Sequence, residues 1–190
     1  MELTVAIYLG LIAAVAVLRF VELRISRSHQ KSLAARGALK AADPVFPWMV
    51  LIHTAVLAGS ATEVFFLHRP FFLPLAVPAF LFFLSANFVR WWVIYTLGEH
   101  WNVQIVDSTR LGIVSAGPFR FVRHPNYAAV FVEMLALPLI HSAWITAAFS
   151  AIAHAVILFA RISAEERVLL ADPHYREAMA AKPRFLPGIF

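Results

Sequence analysis

The chain has 190 residues, 61% hydrophobic and only 14% charged, with 16 Lys and Arg against 11 Asp and Glu for a formal charge of +5. That balance is far from a soluble domain's, and the apolar residues fall in long blocks rather than short periodic stripes. Cysteine is absent, which excludes disulfide and thiolate chemistry. The basic residues gather between apolar blocks instead of on one face of a soluble fold, so nucleic-acid binding is not expected.

Residues 3–23 form the first block, apolar until Arg19 and Glu22. With no basic start and no small-residue cleavage pattern, it reads as a membrane span rather than a signal peptide. Residues 24–40 mix Leu, Ile and Ala with Arg24, Arg27, Lys31, Arg36 and Lys40. They predict an interfacial amphipathic helix on anionic headgroups, with substrate gating as the alternative. Residues 46–67, interrupted by His53 and Glu63, and residues 71–97 are the second and third spans, since about 20 helical residues cross the hydrocarbon core. Pro74 and Pro78 fall in the first two turns of the third span, where proline is tolerated or introduces a bend.

The polar interval 98–125 carries Gly98, Gly112 and Gly117 and suits an irregular binding loop. Residues 127–140 and 143–160, separated by His141-Ser142, predict a helical hairpin whose first arm is short for a full crossing. The expected fold is therefore one all-α integral membrane domain of about five transmembrane helices. Residues 1–97 hold three spans, and residues 98–190 hold the loop, the C-terminal hairpin and a C-terminal helix. Basic residues follow the first, third and fifth spans, and only Arg69 lies on the other side. The positive-inside rule then places the N-terminus outside, with the first loop, the 98–125 loop and the C-terminus in the cytoplasm.

Gly117-Pro118-Phe119-Arg120-Phe121-Val122-Arg123-His124-Pro125-Asn126-Tyr127 crowds polar groups at the start of an apolar helix, where they are costly. Pro125 suits a first helical position, and the helix it begins aims free amides and a positive dipole end at the loop, a ready carboxylate site. His124 and Tyr127 add directional hydrogen bonds there. An interfacial anchor of Tyr and Arg is the alternative. Arg161 and Glu165, four apart, share one helix face. They are either a surface ion pair or a cation and carboxylate facing the loop. Arg90 and Glu133 lie at similar depth, so they are expected to pair, with Arg19 and Glu22 as competing partners. Catalysis by Glu133 is the alternative. His53, His141 and His154 lack metal-ligand spacing and read as packing residues; no metal site is expected. Trp91, Trp92 and Trp101 predict an interfacial aromatic belt.

From about residue 92 onward, the Arg-His-Pro-Asn-Tyr core and the Arg161–Glu166 element resemble the isoprenylcysteine carboxyl methyltransferase family of membrane enzymes. That resemblance implies S-adenosyl-L-methionine as cofactor. It implies cofactor contacts at Gln104, the strip Leu111, Gly112, Ile113 and Val114, then Phe119, His124, Pro125, Asn126, Tyr127 and Glu165, with Arg161 near the acceptor. Phe119 stands where the family often has tyrosine. Arg19-Phe20-Val21-Glu22-Leu23-Arg24-Ile25-Ser26 and Leu97-Gly98-Glu99-His100-Trp101 resemble a bacterial branch that O-methylates alkylpyrones or alkylresorcinols, although that branch has Asn where His29 stands. The implied partners are a lipophilic small-molecule acceptor reaching the site from the bilayer and the lipids of a bacterial inner membrane. A phospholipid N-methyltransferase, a sterol-reductase-like enzyme and a noncatalytic membrane scaffold remain open. An amine acceptor, reduced nicotinamide and the lack of any cofactor would mark them in turn.

Overall fold

The computed structural model describes residues 2–185, so the cytoplasmic C-terminus expected above lies outside the described residues. Its helices are α1 (Leu3–Ala35), α2 (Phe46–Phe66), α3 (Leu73–Leu97), α4 (Pro125–Leu139), α5 (Trp144–Leu169) and α6 (Pro173–Met179). Four helical segments are long and apolar enough to cross a membrane: Leu3–Ala35, Phe46–Phe66, Leu73–His100 and Trp144–Leu169. The remaining apolar helix, α4, has 15 residues. At about 1.5 Å per residue it falls short of a hydrocarbon core of about 30 Å.

Residues 24–35 do not form a separate interfacial helix. They continue α1, because Arg and Lys are good helix formers and a basic residue ends a span without ending a helix. The helix stops at Gly37, whose φ of 90° suits glycine. Gly37 N–H bonds to Ala34 O and Ala38 N–H to Leu33 O, the paired bonds of a Schellman cap. The extension carries the polar interval. Ser26 Oγ accepts from Val103 N–H at 3.0 Å, and His29 Nδ1 donates to Trp101 O at 2.9 Å. Arg36 meets Glu99 at 2.8 Å.

The all-α expectation needs one correction. Leu39–Lys40 (β1) pairs antiparallel with Val106–Asp107 (β2), Leu39 opposite Asp107 and Lys40 opposite Val106. Two residues are too few for an alternating pattern to be legible. The pair ties the α1–α2 connection to the polar interval. On the far side, Gly117 packs against α3: its φ is 54°, and a Cβ there would lie 2.6 Å from Thr96 Oγ1.

The core sits where α1, α2, α3 and α4 meet, around Tyr8, Val15, Val64, Phe83 and Leu137. Leu81, Phe82, Phe88, Ile152, Val156 and Phe159 point outward and are exposed, as lipid-facing residues are. α4 and α5 pack antiparallel: Ser150 Oγ donates to Met134 O at 2.9 Å, and Tyr127 packs with Leu158 and Ile162. His141 packs near Tyr8 and Phe71, and His53 near His154.

The expected Arg90–Glu133 pair does not form directly. Arg90 grips Glu22, its Nε 2.8 Å from Glu22 Oε1, while Arg19 bridges Glu22 at 2.8 Å and Glu133 at 2.6 Å. The four charges join α1, α3 and α4. Depth alone did not separate Arg90's two carboxylate choices. Glu22 is favoured because it presents both oxygens to the guanidinium.

Candidate functional site

Two cavities meet at the start of α4. A polar cleft is lined by Gln104, Gly112, Ile113, Val114, Phe119, Arg123, His124, Pro125, Asn126, Tyr127 and Glu165. An apolar cavity of about 530 Å³ lies between α1, α2, α4 and α5, bordered by Ile12, Met49, Leu57, Val130, Arg19, Arg90 and Arg161. Trp101, Asn102, Asn126 and Tyr127 line both.

Of the residues to which the resemblance gives a cofactor or acceptor role, Leu111 alone lies outside both linings. It closes a 3₁₀ turn over Thr109–Leu111 whose next residue, Gly112, reaches the cleft. Arg161 borders the apolar cavity rather than the cleft.

The α4 start has the expected architecture, with His124 at the N-cap and Pro125 in the first turn. Its amides are only partly free. Arg123 N–H bonds to Pro183 O at 2.9 Å and His124 N–H to Arg184 O at 3.0 Å, so the segment after α6 straps this end. Asn126 and Tyr127 supply the first-turn amides that no intrahelical carbonyl can reach. The His124 ring is also committed, its Nε2 3.0 Å from Glu166 Oε1. Glu166 gathers Arg184 at 2.6 Å and Arg123 at 3.4 Å as well, so this carboxylate anchors the strap. Lys182 reinforces it by donating to Phe119 O at 2.7 Å.

Arg161 and Glu165 do not pair with each other. Tyr127 stands between them: its hydroxyl donates to Glu165 and accepts from Arg161 Nε at 3.0 Å. Arg161 is 2% exposed. It also donates to Val103 O at 3.0 Å and forms an ion pair with Asp43. Sequence reading missed Asp43, which lies 118 residues from Arg161 in the chain and carries no local signal beyond preceding Pro44.

Trp101 is no belt residue. It is 2% exposed, whereas Trp91 and Trp92 face outward. Its indole Nε1–H and Asn126 Oδ1 are buried without a partner among the described residues, and both residues border both cavities. Such orphaned groups are uncommon and suit a polar ligand. Tyr175 and Met179, four apart on α6, close the cleft's outer side. Burial, and then the nearby Glu165 charge, hold the Tyr175 hydroxyl above its ordinary pKa, so the ring stays neutral. Asp172-Pro173 was a local signal for the start of α6: Asp172 caps it by accepting the Tyr175 amide at 2.9 Å. Among the described residues, no three His, Cys, Asp or Glu side chains form a metal-binding group.

Helical spans of membrane length mark a membrane-associated helical protein, and its two cavities share Trp101, Asn102, Asn126 and Tyr127. The model of the isoprenylcysteine carboxyl methyltransferase (ICMT) family matches residues 79–171, from α3 through the cleft to the end of α5. The chain is similar to the uncharacterized protein YpbQ of Bacillus subtilis strain 168. The two are 31% identical over 160 residues, which is 84% of this chain and 94% of the relative. An uncharacterized protein of Haemophilus influenzae is 30% identical over 159 residues, covering 83% and 91%. The match over residues 79–171 supports assignment to the isoprenylcysteine carboxyl methyltransferase family. That assignment supports S-adenosylmethionine-dependent methyl transfer near a membrane.

Proposed function

We propose that the protein transfers a methyl group from S-adenosylmethionine to an oxygen of a lipophilic acceptor, with the cofactor in the polar cleft and the acceptor in the apolar cavity. The observation that carries this reading is the shared wall: Trp101, Asn102, Asn126 and Tyr127 border both compartments. Residues that border both compartments mark where the two reactants would meet, the acceptor oxygen in direct contact with the sulfonium methyl.

The donor set fits the cofactor. The first-turn amides and the helix dipole suit its carboxylate, and Glu165 suits its ammonium or ribose hydroxyls. Trp101, Phe119 and Tyr175 offer ring faces for adenine. The orphaned Asn126 Oδ1 and Trp101 Nε1 would gain partners. S-adenosylmethionine supplies an electrophilic methyl on a sulfonium. The chain positions the acceptor oxygen by Arg161, excludes water through the apolar walls, and holds Tyr127 beside the reacting pair. Acceptors of alkylpyrone, alkylresorcinol or prenylated-carboxylate type fit the apolar cavity's size and lining.

In this reading the cleft opens to the cytoplasm of a bacterial cell and the N-terminus lies outside. A cysteine introduced at Leu111 should label only from inside and one at Arg69 only from outside; the reverse pattern would invert the orientation. Titration calorimetry of S-adenosylhomocysteine into the solubilised protein tests the function. Saturable binding at one site is expected, and no binding would return the noncatalytic scaffold.

A further inference from the structure

The apolar cavity has a second polar pole, deeper than Arg161. Arg19, Glu22, Arg90 and His53 all line it. Their depth follows from the helices that carry them. Val103, whose carbonyl accepts from Arg161, donates its amide to Ser26 on α1. Glu22 and Arg19 precede Ser26 by about one and two turns, so they lie roughly 6–10 Å beyond that level. Asp43, the ion-pair partner of Arg161, accepts the Phe46 amide at the start of α2, and His53 lies about two turns further along that helix, at a similar depth.

Not every group at that pole is committed. Arg90 is 5% exposed and gives Nε and Nη2 to Glu22, while Nη1 has no partner among the described residues. Arg19 gives Nη1 to Glu22 and Nη2 to Glu133, which leaves Nε over. The ion pairs clamp the helices, and the left-over N–H groups add nothing to that clamp. A buried donor without an acceptor is costly, so it calls for a partner. His53 adds the opposite capacity. Its Nδ1, 2.7 Å from Met49 O, carries the ring proton, and Nε2 is left as an acceptor. The charges themselves are matched, Arg19 and Arg90 by Glu22 and Glu133, so the pole suits a dipole better than an ion. An anion would also meet Glu22 in the same wall. A hydroxyl can accept from a guanidinium and donate to an imidazole at once.

We propose that Arg19, Arg90 and His53 form a second subsite in the apolar cavity, one that takes an uncharged hydroxyl carried on the ligand's chain. The inference rests on the two-compartment reading above and adds a substituent to the acceptor's tail. A separation of roughly 6–10 Å from the Arg161 level places that hydroxyl on the chain rather than on the reacting head. A plain hydrocarbon tail would leave Arg90 Nη1, Arg19 Nε and His53 Nε2 facing methylene groups. A hydroxylated one gives a guanidinium an acceptor and the imidazole a donor, without disturbing the ion pairs.

The test titrates isomeric probes, hexadecane-1,7-diol and hexadecane-1,14-diol, into the full chain in nanodiscs by calorimetry. Their equal composition makes their partition into lipid alike, and the 1,7 isomer carries its second hydroxyl at the depth of the subsite. The wild type should bind the 1,7 isomer about tenfold tighter. Arg90→Lys keeps a charge for Glu22 but has a single nitrogen, and it should bring the two isomers within about twofold. The ketone 7-oxohexadecan-1-ol accepts at that position but cannot donate, so it should bind about threefold or more weaker than the 1,7-diol, and His53→Phe should erase that difference. A merely structural role for Arg90 or His53 would weaken every probe alike and leave the ratios unchanged. S-adenosylhomocysteine affinity reports that each variant is folded. A wild type that binds neither S-adenosylhomocysteine nor any probe defeats the two-compartment reading and this inference with it. With S-adenosylhomocysteine bound, isomers held alike by the wild type, as when only a water molecule satisfies Arg90, overturn this inference alone. So does an isomer preference that survives Arg90→Lys. Should Arg90→Lys not fold, the wild-type ratio and His53→Phe decide.

Discussion

Two of the buried ionic networks among the described residues differ in how their charges balance. The first, Arg19, Glu22, Arg90 and Glu133, sets two cations against two anions, all carried on helices. The second centres on Tyr127, with Arg161 against Asp43 and Glu165, and draws Asp43 and Val103 from loops. The first borders the apolar cavity through Arg19, Glu22 and Arg90, and its charges balance, although Arg19 Nε, Arg90 Nη1 and Glu133 Oε2 have no hydrogen-bond partner among the described residues. The second leaves one acid in excess and sits on the wall between the compartments. A balanced network holds helices in register at membrane depth, where an unpaired charge is costly. An unbalanced one is suited to interact with something that arrives.

That contrast predicts different responses. Glu22→Gln leaves Arg90 buried without a full charge partner and should have the largest effect on folding. About 3–5 kcal/mol of stability should be lost, visible as a lower Tm in detergent, with S-adenosylhomocysteine binding retained in whatever remains folded. A Tm unchanged from wild type would mean that the helix-borne network is not a clamp. Arg161→Lys keeps the charge but loses the planar fork that serves Tyr127, Asp43 and Val103 together. Turnover should fall about tenfold while cofactor affinity holds. Equal losses in both would place Arg161 in the cleft instead. Arg36→Gln removes an ion pair whose side chains are 48% and 55% exposed. Its effect on stability should stay below about 1 kcal/mol, and a larger loss would blur the distinction between buried and exposed pairs.

Much of this was legible in the chain. The apolar blocks gave α2 and α3 within a few residues, and the start of α5, which continues to Leu169, well past the apolar block that ends at residue 160. His124-Pro125 marked the start of α4, because proline at a first helical position is a local preference. The cleft residues around that start were legible for the same reason: they are close in sequence or carried by one helix. What stayed hidden depends on distant pairing. Asp43 reaches Arg161 only because the strand pair β1–β2 and the Phe46 cap fix the α1–α2 connection, and neither has a strong local signature. The partner of Arg90 was likewise a choice among carboxylates at similar depth, which only the packing of α1 against α3 settles. The run of basic residues after Leu23 misled in a different way. It marks where a span leaves the membrane, and α1 simply continues past that point to support the polar interval.

The claim that one network binds and the other holds is tested most directly by a crossed pair of variants, each measured for S-adenosylhomocysteine affinity and for Tm. Glu165→Gln should weaken binding by about tenfold or more with little change in Tm. Glu133→Gln should lower Tm with affinity nearly unchanged, because it frees Arg19 in the helix-borne network and touches no cleft residue. The opposite pattern, with Glu133→Gln losing the ligand and Glu165→Gln losing stability alone, would contradict the account.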